Sequence, residues 1–130
     1  MLIISFIEKY KEVIMVIISS ITMFISVCIH RETVLRDCKY QTLKKLSEIR
    51  TEYRDFAQMS SEKKKRYIQE LEFLAIGVEE RIYDLEIIKK MSRKKLVSQY
   101  DNYIKEFLND NFNECDYTEY KKMIENIRYI

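Results

Sequence analysis

Along this chain hydrophobic and polar residues are set out first as a block and then as stripes. Val13 to Ile29 reads VIMVIISSITMFISVCI, seventeen residues without a charge. At helical rise this spans about 26 Å, the short end of what a bilayer core requires. Glu12 and His30 border it and extend the span by lying at headgroup level. The rest follows a helical period. Leu35, Thr42, Ile49 and Phe56 repeat every seven residues, as do Lys39, Leu46 and Tyr53, offset by four. This short seam, interrupted by Thr42 and Lys39, predicts a long helix to about Phe56. It packs either on the chain's own C-terminal part or on another copy.

Gln58-Met59-Ser60-Ser61 reads as a break, with Ser60 or Ser61 as cap and Glu62 in the first turn of a helix to about Ile76. That helix buries Tyr67, Ile68, Leu71, Leu74 and Ala75, and Gly77 ends or kinks it. A helix from Asp84 to about Met91 follows, then Ser92 as a cap and a helix over 93–109. Asp116 and Glu119, at capping-box spacing, open a last helix with Tyr120, Met123, Ile124 and Ile127 inward. The expected fold is all-α: 1–30 an N-terminal segment with a transmembrane helix, 31–58 a long juxtamembrane helix, and 59–130 a small helical bundle.

Composition agrees with this pattern. Among 130 residues there is one Gly, no Pro and no Trp, so hairpin turns are missing. A net charge of +2 with 34% charged residues suits solvated helices. The three scattered cysteines, Cys28, Cys38 and Cys115, form neither a disulfide framework nor a zinc pattern and read as small apolar fillers in a reducing cytosol. His30 is the only histidine, which argues against Ser-His-Asp or Cys-His chemistry, and one glycine leaves no phosphate-binding loop. The chain is therefore expected not to be an enzyme and to need no metal or cofactor.

No basic segment precedes the apolar block, and SVCIHRE lacks a small-x-small cleavage site, so an anchor is favoured over a signal peptide. Lys9 and Lys11 precede the block, whereas Arg31, Arg36, Lys39, Lys44 and Lys45 follow it. The expected placement is the cell membrane, single-pass, with the N-terminus outside and the C-terminal domain cytoplasmic.

Projected at about 100° per residue, Glu8, Glu12, Met15, Ser19, Thr22, Ser26, His30, Thr33 and Asp37 share one face. Three readings fit. The small residues let helices pack closely. Alternatively, four or more copies ring a pore, lined by Ser19, Thr22, Ser26 and His30 with Glu8 and Glu12 as acidic, cation-favouring rings at the outer mouth. In the third, the hydroxyls bond back to their own helix.

The cytosolic charge is bunched. Residues 60–95 hold ten basic and seven acidic side chains, against four and seven over 96–130. Lys63, Lys64, Lys65 and Arg66 form one run; Lys89, Lys90, Arg93, Lys94 and Lys95 form another. Both fit solvated helix faces, contact with anionic headgroups, or an anionic ligand such as a nucleotide or oligonucleotide. Tyr67, Tyr100 and Tyr103 lie near the runs and are either core residues or platforms for bases.

YIQELEFLAIGVEERIYDLEIIKKM followed by LVSQYDNYIKEF, about Tyr67 to Phe107, resembles a family of small bacterial proteins with one N-terminal membrane helix and a helical tail of uncharacterised domain type. The stretch covers under a third of the chain. In layout and charge the chain is similar to membrane effectors of Hailong-type anti-phage defence. That similarity implies an oligomeric channel controlled by an oligonucleotide made by a partner nucleotidyltransferase, and assigns no ligand residue. The expectation is a homo-oligomeric, ligand-gated pore that depolarises the cell. The alternative is a membrane-tethered adaptor recruiting a cytosolic partner through its helices.

Overall fold

The computed structural model describes residues 2–129, all of whose regular structure is helical. In order these are α1 (Leu2–Glu52), a 3-10 turn (Phe56–Gln58), α2 (Ser61–Glu79), α3 (Leu85–Gln99), a π segment (Tyr100–Ile104), α4 (Lys105–Asn111) and α5 (Thr118–Arg128). The chain divides between Arg36 and Asp37 into two units.

The first unit is helix alone. With no Gly or Pro, nothing interrupts the i to i−4 ladder. α1 is long and apolar enough to cross a membrane, and none of its apolar window is buried by the rest of the chain. Every residue from Leu2 to Asp37 is exposed.

The second unit has one core. Thr42, Leu46 and Ile49 of α1, then Tyr53 and Phe56, pack with Tyr67, Ile68, Leu71 and Leu74 of α2, and with Ile88, Leu96, Ile104 and Leu108. Tyr120, Met123, Ile124 and Ile127 of α5 complete it. From Thr42 onward the heptad seam is thus buried in the chain's own domain, whereas Leu35 is 60% exposed. Thr42 interrupts the seam for a reason. Its hydroxyl donates to Cys38 O and accepts the Asp84 N–H, both at 2.7 Å, so this buried polar group is satisfied and holds the start of α3 against α1.

Ser60 caps α2 as expected, its Oγ accepting the Lys63 N–H at 3.2 Å. α1 stops earlier than its pattern predicts, at Glu52, because the Asp55 side chain accepts the Ala57 N–H and winds Phe56–Gln58 into a separate turn. Gly77 does not end α2; it lies inside the helix, and α2 closes two residues beyond it. Ile82 N–H bonds to Gly77 O (2.8 Å) and Arg81 N–H to Val78 O (3.1 Å), with Arg81 left-handed at φ 62°. This is a Schellman cap with arginine in the usual glycine position.

The predicted break at Ser92 is absent. Ile88, Ser92 and Leu96 lie four apart on one buried stripe, so Ser92 is a small packing residue and the helix runs through it. At α-helical pitch Ile104 and Leu108 would drift round and leave that stripe. The π segment, with Lys105 N–H bonding to Tyr100 O, inserts one residue and sets the phase back by about 100°, returning both to the core. The capping box at Asp116 and Glu119 also does not form. Asp116 accepts the Asn113 N–H at 3.1 Å, and α5 starts after Tyr117, itself left-handed at φ 57°.

Candidate functional site

Two groups of polar side chains have no structural partner large enough to explain them: the stripe on the first unit and a basic groove on the second.

On the stripe, Glu8, Glu12, Ser19, Thr22, Ser26 and His30 are all exposed. Thr22 Oγ1 donates to Ile18 O and Ser26 Oγ to Thr22 O, each at 2.9 Å. Their protons are therefore satisfied within the helix, while their lone pairs still point outward. Among the described residues Ser19 makes no side-chain hydrogen bond, and Glu8, Glu12 and His30 no ion pair. The stripe thus presents acceptor oxygens along one helical face, with carboxylates beyond one end of the apolar block.

The two basic runs differ. In Lys63–Arg66, three lysines lie over aromatic rings of the domain: Lys63 5.8 Å from Tyr53, Lys64 5.1 Å from Phe56, and Lys65 6.0 Å from Phe112. Cation–π attraction and burial of their stems account for them structurally. Lys63 also borders a groove of about 420 Å³, whose wall includes Glu52 and Asp55.

Lys89, Lys90, Arg93, Lys94 and Lys95 line a separate, larger groove of about 860 Å³, together with Arg128. The other lining residues are Met91, Val97 and Ser98, so no carboxylate is among them. Lys89 reaches Glu86 at 3.4 Å across one helical turn. Arg93 donates to Arg128 O at 2.8 Å, capping the end of α5. Arg128 forms a fork with Asp101 at 2.7 and 2.8 Å and holds that carboxyl below its usual range. Lys90, Lys94 and Lys95 have no carboxylate partner among the described residues. Burial, and then the nearby Arg50 guanidinium, depress Lys95 below an ordinary lysine.

The fold therefore does not gather the two runs into one lining. It keeps Lys89–Lys95 together and adds Arg128 and, beside Lys95, Arg50. Neither addition was legible in the sequence, since each comes from a distant helix. Of the tyrosines considered as platforms, Tyr67 is core, its hydroxyl donating to Gln99 at 2.6 Å, and Tyr100 is half-buried with its ring against Tyr120. Tyr103 is 48% exposed, with its ring 6.3 Å from that of Phe56.

The cysteines are all free. Cys38 donates its thiol to Arg81 O at 3.6 Å, while Cys28 and Cys115 are exposed rather than packed. Among the described residues no three His, Cys, Asp or Glu side chains converge as metal ligands would. Comparison of the chain with family models, curated proteins and solved structures found no match in any of the three.

Proposed function

We propose that this chain is a single-pass membrane effector that self-associates. Its N-terminal helices would line an ion pore through Ser19, Thr22, Ser26 and His30, and its helical domain would control that pore by binding an anion in the basic groove. The observation that supports this reading best is the polar stripe on an otherwise unpartnered helix. Lipid solvates such a face poorly, whereas other copies offer it a wet interior. Four or more copies would place Glu8 and Glu12 as acidic rings on the outer side and favour cations. The excess of Lys and Arg after the block places the domain in the cytoplasm on this reading. Opening would depolarise the cell. A role in anti-phage defence, with an oligonucleotide from a partner nucleotidyltransferase as ligand, rests on the resemblance alone.

The test is ion flux through the purified full-length protein in liposomes. Ser19→Leu and Ser26→Leu are expected to abolish flux with insertion unchanged; flux equal to that of the unmodified chain would remove the pore. One observation favours a second reading, a membrane-tethered adaptor: Thr22 and Ser26 already spend their protons within their own helix. An adaptor keeps its function when residues 13–29 are replaced by polyleucine, and a channel does not. Native mass spectrometry of the detergent-solubilised protein separates the two further, since a monomer leaves only the adaptor.

A further inference from the structure

Arg50 and Lys95 come from different helices, yet line the same small cavity beneath the seam between α1 and α3. Its remaining wall is core, including Leu46, Tyr67, Leu71 and Leu96, with Ser92 beside them. Its interior, about 20 Å³, admits one water, so an anion the size of phosphate would meet the exposed Arg50 and the half-buried Lys95 only at its mouth. Lys95 also lines the large basic groove, so its side chain borders both, whereas Arg50 borders only the small cavity. Neither cation has an ion-pair or side-chain hydrogen-bond partner among the described residues. Arg50 lies in the last turn of α1, where the helix dipole is favourable to it, but that does not account for a second cation beside it.

Two like charges held together across a helix seam repel, and the half-buried position of Lys95 screens them less than open solvent would. An oxyanion between them reverses the sign of the interaction. A guanidinium and an ammonium suit this differently: Arg50 offers a planar fork and Lys95 a point charge. The adjoining groove is far larger than one phosphate, and Lys90 and Lys94 stand in it without carboxylates.

From this we infer that Arg50 and Lys95 together grip one phosphate of a polyphosphorylated ligand, whose other phosphates lie against Lys90 and Lys94, so that the ligand bridges α3 to α1. The inference rests on the groove being an anion site, as proposed above, and adds how the ligand is read. Without ligand the α1–α3 seam carries a repulsion; with ligand it carries a clamp. The ligand therefore favours the docked state of the end of α1, which is the differential binding that any gating requires.

The experiment uses the full chain in zwitterionic nanodiscs, with inorganic tripolyphosphate as probe and thermal unfolding followed by tyrosine fluorescence. Arg50→Gln and Lys95→Gln are each expected to raise the midpoint without probe and to weaken probe binding by about tenfold or more. A purely structural pair would lower the midpoint instead, and that result overturns the proposal. If both variants bind the probe like the unmodified chain while the Lys90→Gln/Lys94→Gln double variant does not, the bridge is wrong and the groove stands. If the unmodified chain does not bind millimolar probe, the groove and the bridge both fall. Nanodiscs containing phosphatidylglycerol and no probe separate the sources of phosphate: a raised midpoint there, lost in Arg50→Gln, assigns the clamp to lipid headgroups and overturns a soluble ligand.

Discussion

The Glu72 carboxylate, on α2, accepts the backbone N–H of Tyr120 at 2.7 Å, so the first turn of α5 is capped by a side chain from another helix. α5 has no side-chain cap of its own, because Tyr117 occupies the capping position. A negative charge at a helix N-terminus is stabilised both by the open N–H and by the dipole. Glu72→Ala should lower stability by about 1–2 kcal/mol in urea unfolding, the usual range for a lost cap. Glu72→Gln, which keeps an acceptor and loses the charge, should lose roughly half as much. Equal losses would mean that the hydrogen bond contributes nothing.

At Arg81 a different end effect applies. This residue closes the Schellman cap of α2 with φ at 62°, where a Cβ is disfavoured. Its side chain makes no ion pair among the described residues. Arg81→Gly is expected to raise stability by about 1 kcal/mol at most, the strain relieved being partly offset by a more flexible unfolded chain. A lower midpoint of urea unfolding would show that the arginine side chain contributes more than its backbone costs.

Gly77 is required for space, since it lies within α2 with no positive φ. A Cβ built there would overlap the edge of the Tyr83 ring. Gly77→Ala should therefore destabilise by about 1–3 kcal/mol, against the gain that alanine normally brings inside a helix. Combining it with Tyr83→Ala should restore the ordinary helical preference. A double-mutant cycle without coupling between the two positions would refute the overlap.

Tyr67 and Tyr120 separate a satisfied hydroxyl from an unsatisfied one. Tyr67 bonds to Gln99, whereas Tyr120 Oη is buried with no hydrogen-bond partner among the described residues. Tyr67→Phe should cost about 1 kcal/mol, while Tyr120→Phe should be neutral or stabilising. Burial pushes the Tyr67 phenol up to about 12 and Tyr120 well above its ordinary range. With both folded values raised, their stabilising contribution is complete below the unfolded value of about 10 and is lost as pH rises through the folded ones. Unfolding midpoints should fall with pH across that window, and less steeply in the two phenylalanine variants.

Among these features, the sequence by itself determined those carried by local pattern. The all-helical class, the apolar block on the first helix, the Ser60 cap and the inward faces of α2 and α5 follow from period and end chemistry, which act within a few residues. The stripe from Glu8 to Asp37 is equally local, because residues on one helix share a face whatever surrounds it. Tertiary structure decided what depends on a second helix. The seam at Thr42, Leu46 and Ile49 could have met another copy or its own domain with the same heptad spacing. Ser92 looks like a cap until its neighbours bury it. The π segment exists only because Ile104 and Leu108 must reach a core already defined by Ile88 and Leu96. The basic runs are the clearest case: both are lysine-rich with a single arginine, yet one lies over aromatic rings and the other lines a groove. Glu72, Arg50 and Arg128 act only through partners that are far away in sequence. Charge and hydrogen bonding weaken steeply with distance in space, and spacing along a chain that folds back on itself does not report that distance.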